Sequence, residues 1–138
     1  MNRKDIDKIM RKLPQLNVFG IGVNQEDLRK ASERATELER DRKELLASVD
    51  ACNKCCEWLR RNISKIKTID KRHTSYELKH LAETEIGYMT NGVFICAAIH
   101  CGYPYKLTNG PNVRFGMSQK SINQIKARQR GSATMPGR

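Results

Sequence analysis

Residues 28–66 decide the fold, and they read LRKASERATELERDRKELLASVDACNKCCEWLRRNISKI. Within them, apolar residues recur alternately three and four positions apart, and neither proline nor glycine interrupts the run. A period of 3.5 residues keeps one stripe of a helix facing a neighbouring helix. The spacing predicts one long, coiled-coil-like helix of roughly 60 Å, at about 1.5 Å per residue. The stripe consists of Leu28, Ala31, Ala35, Leu38, Arg42, Leu45, Val49, Cys52, Cys56, Leu59, Ile63 and Ile66.

The second half of this stripe is the more strongly apolar half. A helix that is longer than a small domain is wide must meet another helix, so we expect a homodimer that pairs through it. Arg42 interrupts the apolar stripe. It favours either an acidic partner on a second helix or a break at which residues 28–40 fold back on residues 45–66 as a hairpin. The predicted oligomer seam consists of Leu45, Val49, Cys52, Cys56, Leu59, Ile63 and Ile66.

Positive charge is abundant and unevenly distributed. The 138 residues carry a formal net charge of +11, and only 6% of them are aromatic. Residues 52–72 contain seven basic and two acidic side chains, and residues 104–138 contain seven basic and no acidic ones. Such clusters are typical of proteins that contact a polyanion. A solvated surface and contact with an acidic protein are the alternatives.

The predicted function is non-enzymatic binding of nucleic acid through the phosphate backbone. Because residues 93–99 are almost wholly apolar, we expect little reading of base edges by the helix that contains them. Tyr103 or Tyr105 can help to grip a strand. The alternative is an anti-defence, anti-CRISPR-like inhibitor that docks on a nucleic-acid-handling effector or nuclease. The predicted binding residues are Arg60, Arg61, Lys65, Lys67, Lys71, Arg72, Lys106, Arg114, Lys120, Lys126, Arg128 and Arg130.

The remaining pattern divides the chain into four segments. Residues 1–23 predict a short amphipathic helix and an apolar stretch that is either a strand or a loop. Residues 24–72 contain the long helix and a basic connector, and residues 73–117 form a small helical domain with a β-hairpin. Residues 118–138 predict a basic helix and, after about residue 130, a disordered tail. The predicted fold class is therefore mainly α.

Local signals set the elements of residues 73–117. Thr74 and Glu77 form a capping box at the start of one helix. The helix, turn, helix and hairpin then follow the order of a helix-turn-helix with a wing. The predicted elements are helices over residues 75–85 and 93–101 and strands over residues 105–107 and 113–115.

The cysteines are interpreted as core residues. Cys52, Cys55 and Cys56 form one group, and Cys96 and Cys101 form another. Their spacing does not match zinc fingers or ribbons, and an odd number of cysteines indicates a reducing compartment. We expect no metal, no cofactor and no enzyme activity, with a zinc-stabilised module as the alternative.

Three stretches, residues 75–83, 87–103 and 111–115, resemble small accessory proteins of bacterial phages and integrative mobile elements. The resemblance implies a bacterial cytoplasm and a setting in which small proteins often bind DNA or block host defence nucleases. The charged first residues lack the apolar region of a signal peptide, and no apolar run is long enough for a bilayer. We therefore expect a cytoplasmic protein without membrane contact. The resemblance rests mainly on Tyr88, Asn91, Gly92, Phe94, Ile95, Ala97 and Ala98.

Overall fold

The computed structural model describes residues 1–22 and 31–133 as six helices and two small antiparallel sheets. The helices are α1 (Arg3–Lys12), α2 (Ala31–Leu46), α3 (Val49–Asn62), α4 (Ser75–Ile86), α5 (Asn91–His100) and α6 (Gln119–Ala133). The strands are β1 (Leu16–Asn17), β2 (Gly20–Ile21), β3 (Tyr105–Leu107) and β4 (Val113–Phe115). This confirms a mainly α protein with a short β-hairpin at the predicted position. None of the helices in this part of the chain is long and apolar enough to cross a membrane.

Side-chain caps start α4 and α5, and at α4 the structure shows the Thr74 half of the predicted capping box. The Thr74 hydroxyl accepts a hydrogen bond from the Glu77 backbone N–H at 3.3 Å, and the Thr90 hydroxyl accepts one from Val93 at 3.2 Å. Gly87 follows α4 with a φ angle of +94°, a conformation that is cheap for glycine alone. These local contacts explain why both helices could be placed without knowledge of the tertiary structure.

Helix α5 is the centre of the hydrophobic core. Its side chains from Asn91 to Ala98 are all buried, and α1, α3 and α4 pack around it. A Cβ atom on Gly92 would lie 1.9 Å from the carbonyl oxygen of Asn17, so glycine is needed where the β1–β2 hairpin meets this helix. Because α5 is enclosed, it cannot enter a DNA groove, and the element order of a winged helix-turn-helix does not supply a recognition helix here.

The single helix predicted over residues 28–66 is not shown. Helix α2 ends at Leu46 and α3 begins at Val49. Between them, the Ser48 hydroxyl donates to the Glu44 carbonyl at 2.8 Å, and the backbone of Ser48 has a ψ angle of +37°. The break lets α2 pack on α1 and β1 while α3 packs on α5, so each helix buries apolar side chains within this chain. Neither a coiled coil nor the alternative hairpin is shown among the described residues.

The residues of the predicted oligomer seam lie mostly inside the protein. Helix α3, which packs on α5, carries Cys52, Cys56 and Leu59, while Val49 is only half-buried and Ile66 is exposed. The apolar face from which the homodimer was predicted is therefore buried in the chain's own core. The homodimer remains a prediction, but this face cannot be its interface. The buried members are Leu45, Cys52, Cys56, Leu59 and Ile63.

Arg42 has a different partner from the acidic residue that the sequence analysis expected. Its guanidinium donates to the carbonyl oxygens of Met10 at 3.0 Å, Leu13 at 3.0 Å and Leu16 at 2.7 Å. Two of these carbonyls end α1, where the helix dipole favours a cation. Burial lowers the pKa of Arg42 from its usual value, and attraction to Asp7 opposes that effect.

One contiguous core includes residues from all four predicted segments, among them Ile6, Leu45, Phe94 and Ile122. Helix α6 continues to Ala133, so it runs past the predicted start of a disordered tail. The rest of that tail and the predicted start of the long helix lie outside the described residues.

Candidate nucleic-acid interface

The connector between α3 and α4, residues 63–74, runs alongside β4. The Ile66 N–H donates to the Gly116 carbonyl and the Asp70 N–H donates to the Phe115 carbonyl, each at 3.0 Å. These bonds add an irregular third segment to the β3–β4 hairpin. They satisfy backbone groups that would otherwise face solvent and fix the connector to a folded support.

The predicted cations of the connector and the hairpin are brought together by this pairing. Lys106 and Arg114 lie opposite each other in the hairpin register, and Arg114 Nη1 donates to the Lys71 carbonyl at 2.7 Å. Arg114 is half-exposed and the other five side chains are exposed. We call this set the basic strip. It consists of Lys65, Lys67, Lys71, Arg72, Lys106 and Arg114.

Little negative charge offsets the basic strip. Asp70 is the only carboxylate in residues 63–72 and 103–118. Its side chain is 11% exposed, and its Oδ2 atom lies 3.9 Å from His73 Nε2. The carboxylate is thus turned into the fold, and the cations of the basic strip keep an outward positive field.

A groove of about 630 Å³ opens between α1 and the turn that links α5 to β3. Lys8 and Lys12, one helical turn apart, lie along the α1 wall together with Asp5. His100 and the 39% exposed side chain of Tyr105 line the opposite wall. The groove therefore combines two lysine ammonium groups, one carboxylate, an imidazole and a phenol ring.

Tyr103 lines the same groove and is fixed in place. It is buried, and the single hydrogen of its hydroxyl is shared between the carbonyl oxygens of Ile63 at 2.5 Å and Leu59 at 3.0 Å. The Lys65 ammonium lies 5.6 Å from the centroid of the Tyr103 ring, within the range of a cation–π contact. Lys65 thus joins the basic strip to the groove.

Electrostatics set the character of the imidazole in the groove. The pKa of His100 lies below its usual value because burial disfavours the imidazolium. The N-terminal ammonium and Arg60 lower this pKa further, and Asp5 opposes them. This shift favours the neutral imidazole, and a neutral imidazole offers one hydrogen-bond donor and one acceptor.

The cysteines lie in the core next to this region. A hydrogen bond with Cys56 lowers the pKa of Cys101 to about 7 against the effect of burial, and the positive charges of Arg60 and Lys65 contribute. In the part of the chain that the structure describes, no group of three or more His, Cys, Asp or Glu side chains can hold a metal ion. All five thiols are free and buried: Cys52, Cys55, Cys56, Cys96 and Cys101.

The other predicted binding residues are not part of the basic strip. Arg60 is exposed and acts electrostatically on His100. Arg61 pairs with Glu57 at 2.6 Å on α3. Lys120 and Arg130 are exposed on α6, and Lys126 is half-exposed there. These are the predicted residues Arg60, Arg61, Lys120, Lys126 and Arg130.

Arg128 is engaged within the fold. Its Nη2 and Nε atoms donate to the Glu85 carboxylate at 2.6 and 3.0 Å, and Nη2 also donates to Asn62 Oδ1 at 3.1 Å. The Trp58 indole donates to the same carboxylate at 2.9 Å. Burial raises the pKa of Glu85, but the hydrogen bonds from Arg128, Trp58 and Gln129 outweigh it and lower the pKa. Arg128 therefore holds α6 to α3 and α4.

Sequence reasoning missed Lys8 and Lys12 as site residues. Their spacing of four places them on one helix face, which is a detectable signal. Nothing in the sequence indicates that this face lies against the turn after α5, because that approach depends on tertiary packing.

Comparison with protein-family models, curated proteins and solved structures finds no match to this chain. The functional argument therefore depends on the chain's own residues, and the resemblance to phage and mobile-element proteins stays a prediction.

Proposed function

We propose that the protein binds nucleic acid without catalysis, mainly through the phosphate backbone, and that the basic strip makes these contacts. The observation that carries the proposal is the pairing of the connector with β4, which gathers six cations beside one inward-turned carboxylate. Lysine and arginine side chains that neutralise phosphates release condensed counterions, and this release drives binding. The proposed interaction does not depend on the base sequence of the nucleic acid.

The enclosure of α5 supports backbone contact over base reading. Direct readout needs polar side chains on an element that enters a groove, and the side chains of α5 from Asn91 to Ala98 are buried. The hairpin and connector instead offer exposed cations on a surface with fixed backbone hydrogen bonds. Phosphate contacts position a protein on nucleic acid but carry little sequence information.

The contacts of His73 support a structural role for this histidine. Its two ring nitrogens lie 3.1 Å from Glu77 and 3.0 Å from the side-chain oxygen of Gln119. A general base needs a nitrogen that can reach a substrate proton, and both nitrogens of His73 already have partners within the fold.

A charge-matched pair of variants tests the proposal. In the variant Lys67→Gln/Lys71→Gln, affinity for a labelled oligonucleotide should fall about ten-fold, because two phosphate contacts are lost. The control Lys43→Gln/Lys54→Gln removes the same charge from exposed lysines outside the connector and the hairpin. Its affinity should stay within about two-fold of wild type. Equal losses in both variants, or no binding by the wild type, would contradict the proposal.

A second candidate function is favoured by two exposed aromatic side chains, one in α4 and one in the turn that follows it. Tyr88 is 82% exposed and Tyr76 is 50% exposed, and both rings lie within 6 Å of the Lys79 ammonium. Exposed tyrosines are frequent anchors of protein interfaces. We propose as the alternative an inhibitor that docks on a nucleic-acid-handling effector through these tyrosines.

A pull-down with and without nuclease separates the two candidates. Partners held through nucleic acid should be lost after nuclease treatment. An effector bound directly should be retained, and it should be lost on Tyr88→Ala. Retention of one effector by the wild type, with no affinity of the free protein for nucleic acid, would favour the inhibitor.

A further inference from the structure

The groove between α1 and the turn after α5 differs from the basic strip in shape and in chemistry. The strip is an open array of cations, while the groove is a concave site of about 630 Å³, a volume within the range of ligand-binding pockets. Its walls carry aromatic and hydrogen-bonding groups as well as charge. A site of this kind can enclose a planar base, which a set of surface lysines cannot do.

The distribution of charge in the groove indicates where a phosphate can lie. Lys8 and Lys12 offer two ammonium groups on the α1 wall, and Asp5 repels an anion from the far end of the same row. Lys65 reaches the edge of the groove from the connector, since its ammonium lies 3.3 Å from the position of a Cβ on Gly102. A backbone that follows the basic strip can therefore continue towards the two α1 lysines.

The opposite wall indicates where a base can lie. Tyr105 is exposed enough to offer part of its ring, and a base can stack on an aromatic ring whatever its sequence. Tyr103 closes the groove beside it, because its hydroxyl is tied to the end of α3. His100 provides a donor and an acceptor for a base edge. In a duplex the bases are paired and stacked inside, so only an unpaired base can use this wall.

We propose that this groove holds an unpaired nucleotide, with its phosphate on Lys8 and Lys12 and its base on Tyr105, so that the protein prefers single-stranded to double-stranded nucleic acid. The inference rests on the proposed function, since the basic strip supplies the backbone contacts that both forms share. It adds the substrate class and the residue that selects it.

The test compares labelled oligothymidylate and oligouridylate with a duplex of equal length by fluorescence anisotropy. Tyr105→Ala should weaken binding of at least one of the single strands about ten-fold and binding of the duplex by under about two-fold. The control Leu107→Ala truncates an exposed side chain on the same strand, outside the groove, and should change either affinity by under about two-fold. Tyr105→Phe keeps the ring and should retain the preference.

An abasic single strand gives a readout that needs no variant. Wild-type protein should bind it as weakly as Tyr105→Ala binds the strand with bases, because both lack the stacking contact. Equal losses for single strand and duplex in Tyr105→Ala, or undiminished binding of the abasic strand, would overturn the inference. The proposed function survives that result if Lys67→Gln/Lys71→Gln still weakens both forms, whereas it fails if wild type binds neither form.

Discussion

Two groups of cations in this protein differ in their surroundings, and Arg114, which binds the Lys71 carbonyl from within the basic strip, has features of both. Arg42 and Arg128, the bound arginines, donate hydrogen bonds to carbonyl or carboxylate oxygens of their own chain. In the basic strip, the exposed side chains of Lys67, Lys71 and Arg72 extend from non-helical backbone that is held against β4. The comparison teaches that net charge alone does not measure a binding surface, because part of the charge is used to hold the fold together.

The difference follows from where the backbone leaves unsatisfied acceptors. The end of α1 presents carbonyl oxygens with no partner in the helix, and the guanidinium of Arg42 fits them as a multiple donor. In the connector, the Ile66 and Asp70 N–H groups donate to the Gly116 and Phe115 carbonyls, and the Lys71 carbonyl accepts from Arg114 rather than from a lysine. Its lysines are therefore available to an external anion. The first three predictions below each act on one group and leave the other intact, and the fourth tests a cation outside both.

The largest expected effect is on stability, from Arg42→Met. The change removes the guanidinium from three carbonyl oxygens, of which that of Leu13 still accepts from the Leu16 N–H, and should lower the free energy of unfolding by about 3 kcal/mol. Urea denaturation measures this. The control Lys43→Met, at an exposed neighbour, should stay within about 0.5 kcal/mol of wild type. Unchanged stability of Arg42→Met would show that this arginine does not hold α1 to α2.

The next effect is on binding, from Arg114→Gln. This change removes one phosphate contact and also the hydrogen bond that fixes the Lys71 carbonyl, so affinity should fall about ten-fold. Arg114→Lys keeps the charge but loses the planar donor, and its affinity should fall about three-fold. Titration of a labelled oligonucleotide measures both. An affinity unchanged in both variants would remove the hairpin from the interface.

A smaller effect is expected from the Arg128 network. Arg128→Gln should lower the free energy of unfolding by about 1 kcal/mol, because a half-exposed ion pair is partly screened. Glu85→Gln should cost a similar amount, and the double variant should cost less than the sum. Oligonucleotide affinity of Arg128→Gln should change by under about two-fold. A larger loss of affinity would show that Arg128 contacts nucleic acid together with the basic strip.

The smallest effect is expected from Lys126→Gln, which tests a cation that belongs to neither group. It is half-exposed on α6, outside the connector and the hairpin. Affinity should change by under about two-fold and stability by under about 0.5 kcal/mol. If this variant binds as weakly as Arg114→Gln, the interface extends along α6 and the basic strip is only part of it.

The elements that the sequence predicted well are those set by neighbouring residues. Thr74, Gly87 and Thr90 fix helix ends through contacts within a few positions, and the two strands of the β3–β4 hairpin are separated by only five residues. The break near Ser48 was missed because the apolar spacing continues across it. Only the packing of α2 on α1 and of α3 on α5 shows that the stripe faces two different surfaces.

The candidate site could be predicted only where local sequence determines it. Charge clustering identified the cations of the connector, but their pairing with β4 is a long-range contact that no local pattern encodes. The groove required α1 and the turn after α5 to meet, although they lie about ninety residues apart in the sequence. Arg42 was singled out as an exception in its stripe, yet its carbonyl partners were not foreseeable from that position.

The salt dependence of binding tests the central claim most directly. For wild-type protein and a DNA duplex, the logarithm of the binding constant should fall against the logarithm of salt concentration with a slope of about −5, from six cations at about 0.9 per phosphate. Lys67→Gln/Lys71→Gln should have a slope of about −3.5, and Arg128→Gln should keep the wild-type slope. Two results would contradict the division of the cations into the bound arginines and the basic strip. One is a wild-type slope shallower than about −1. The other is a slope for Arg128→Gln as shallow as that for Lys67→Gln/Lys71→Gln.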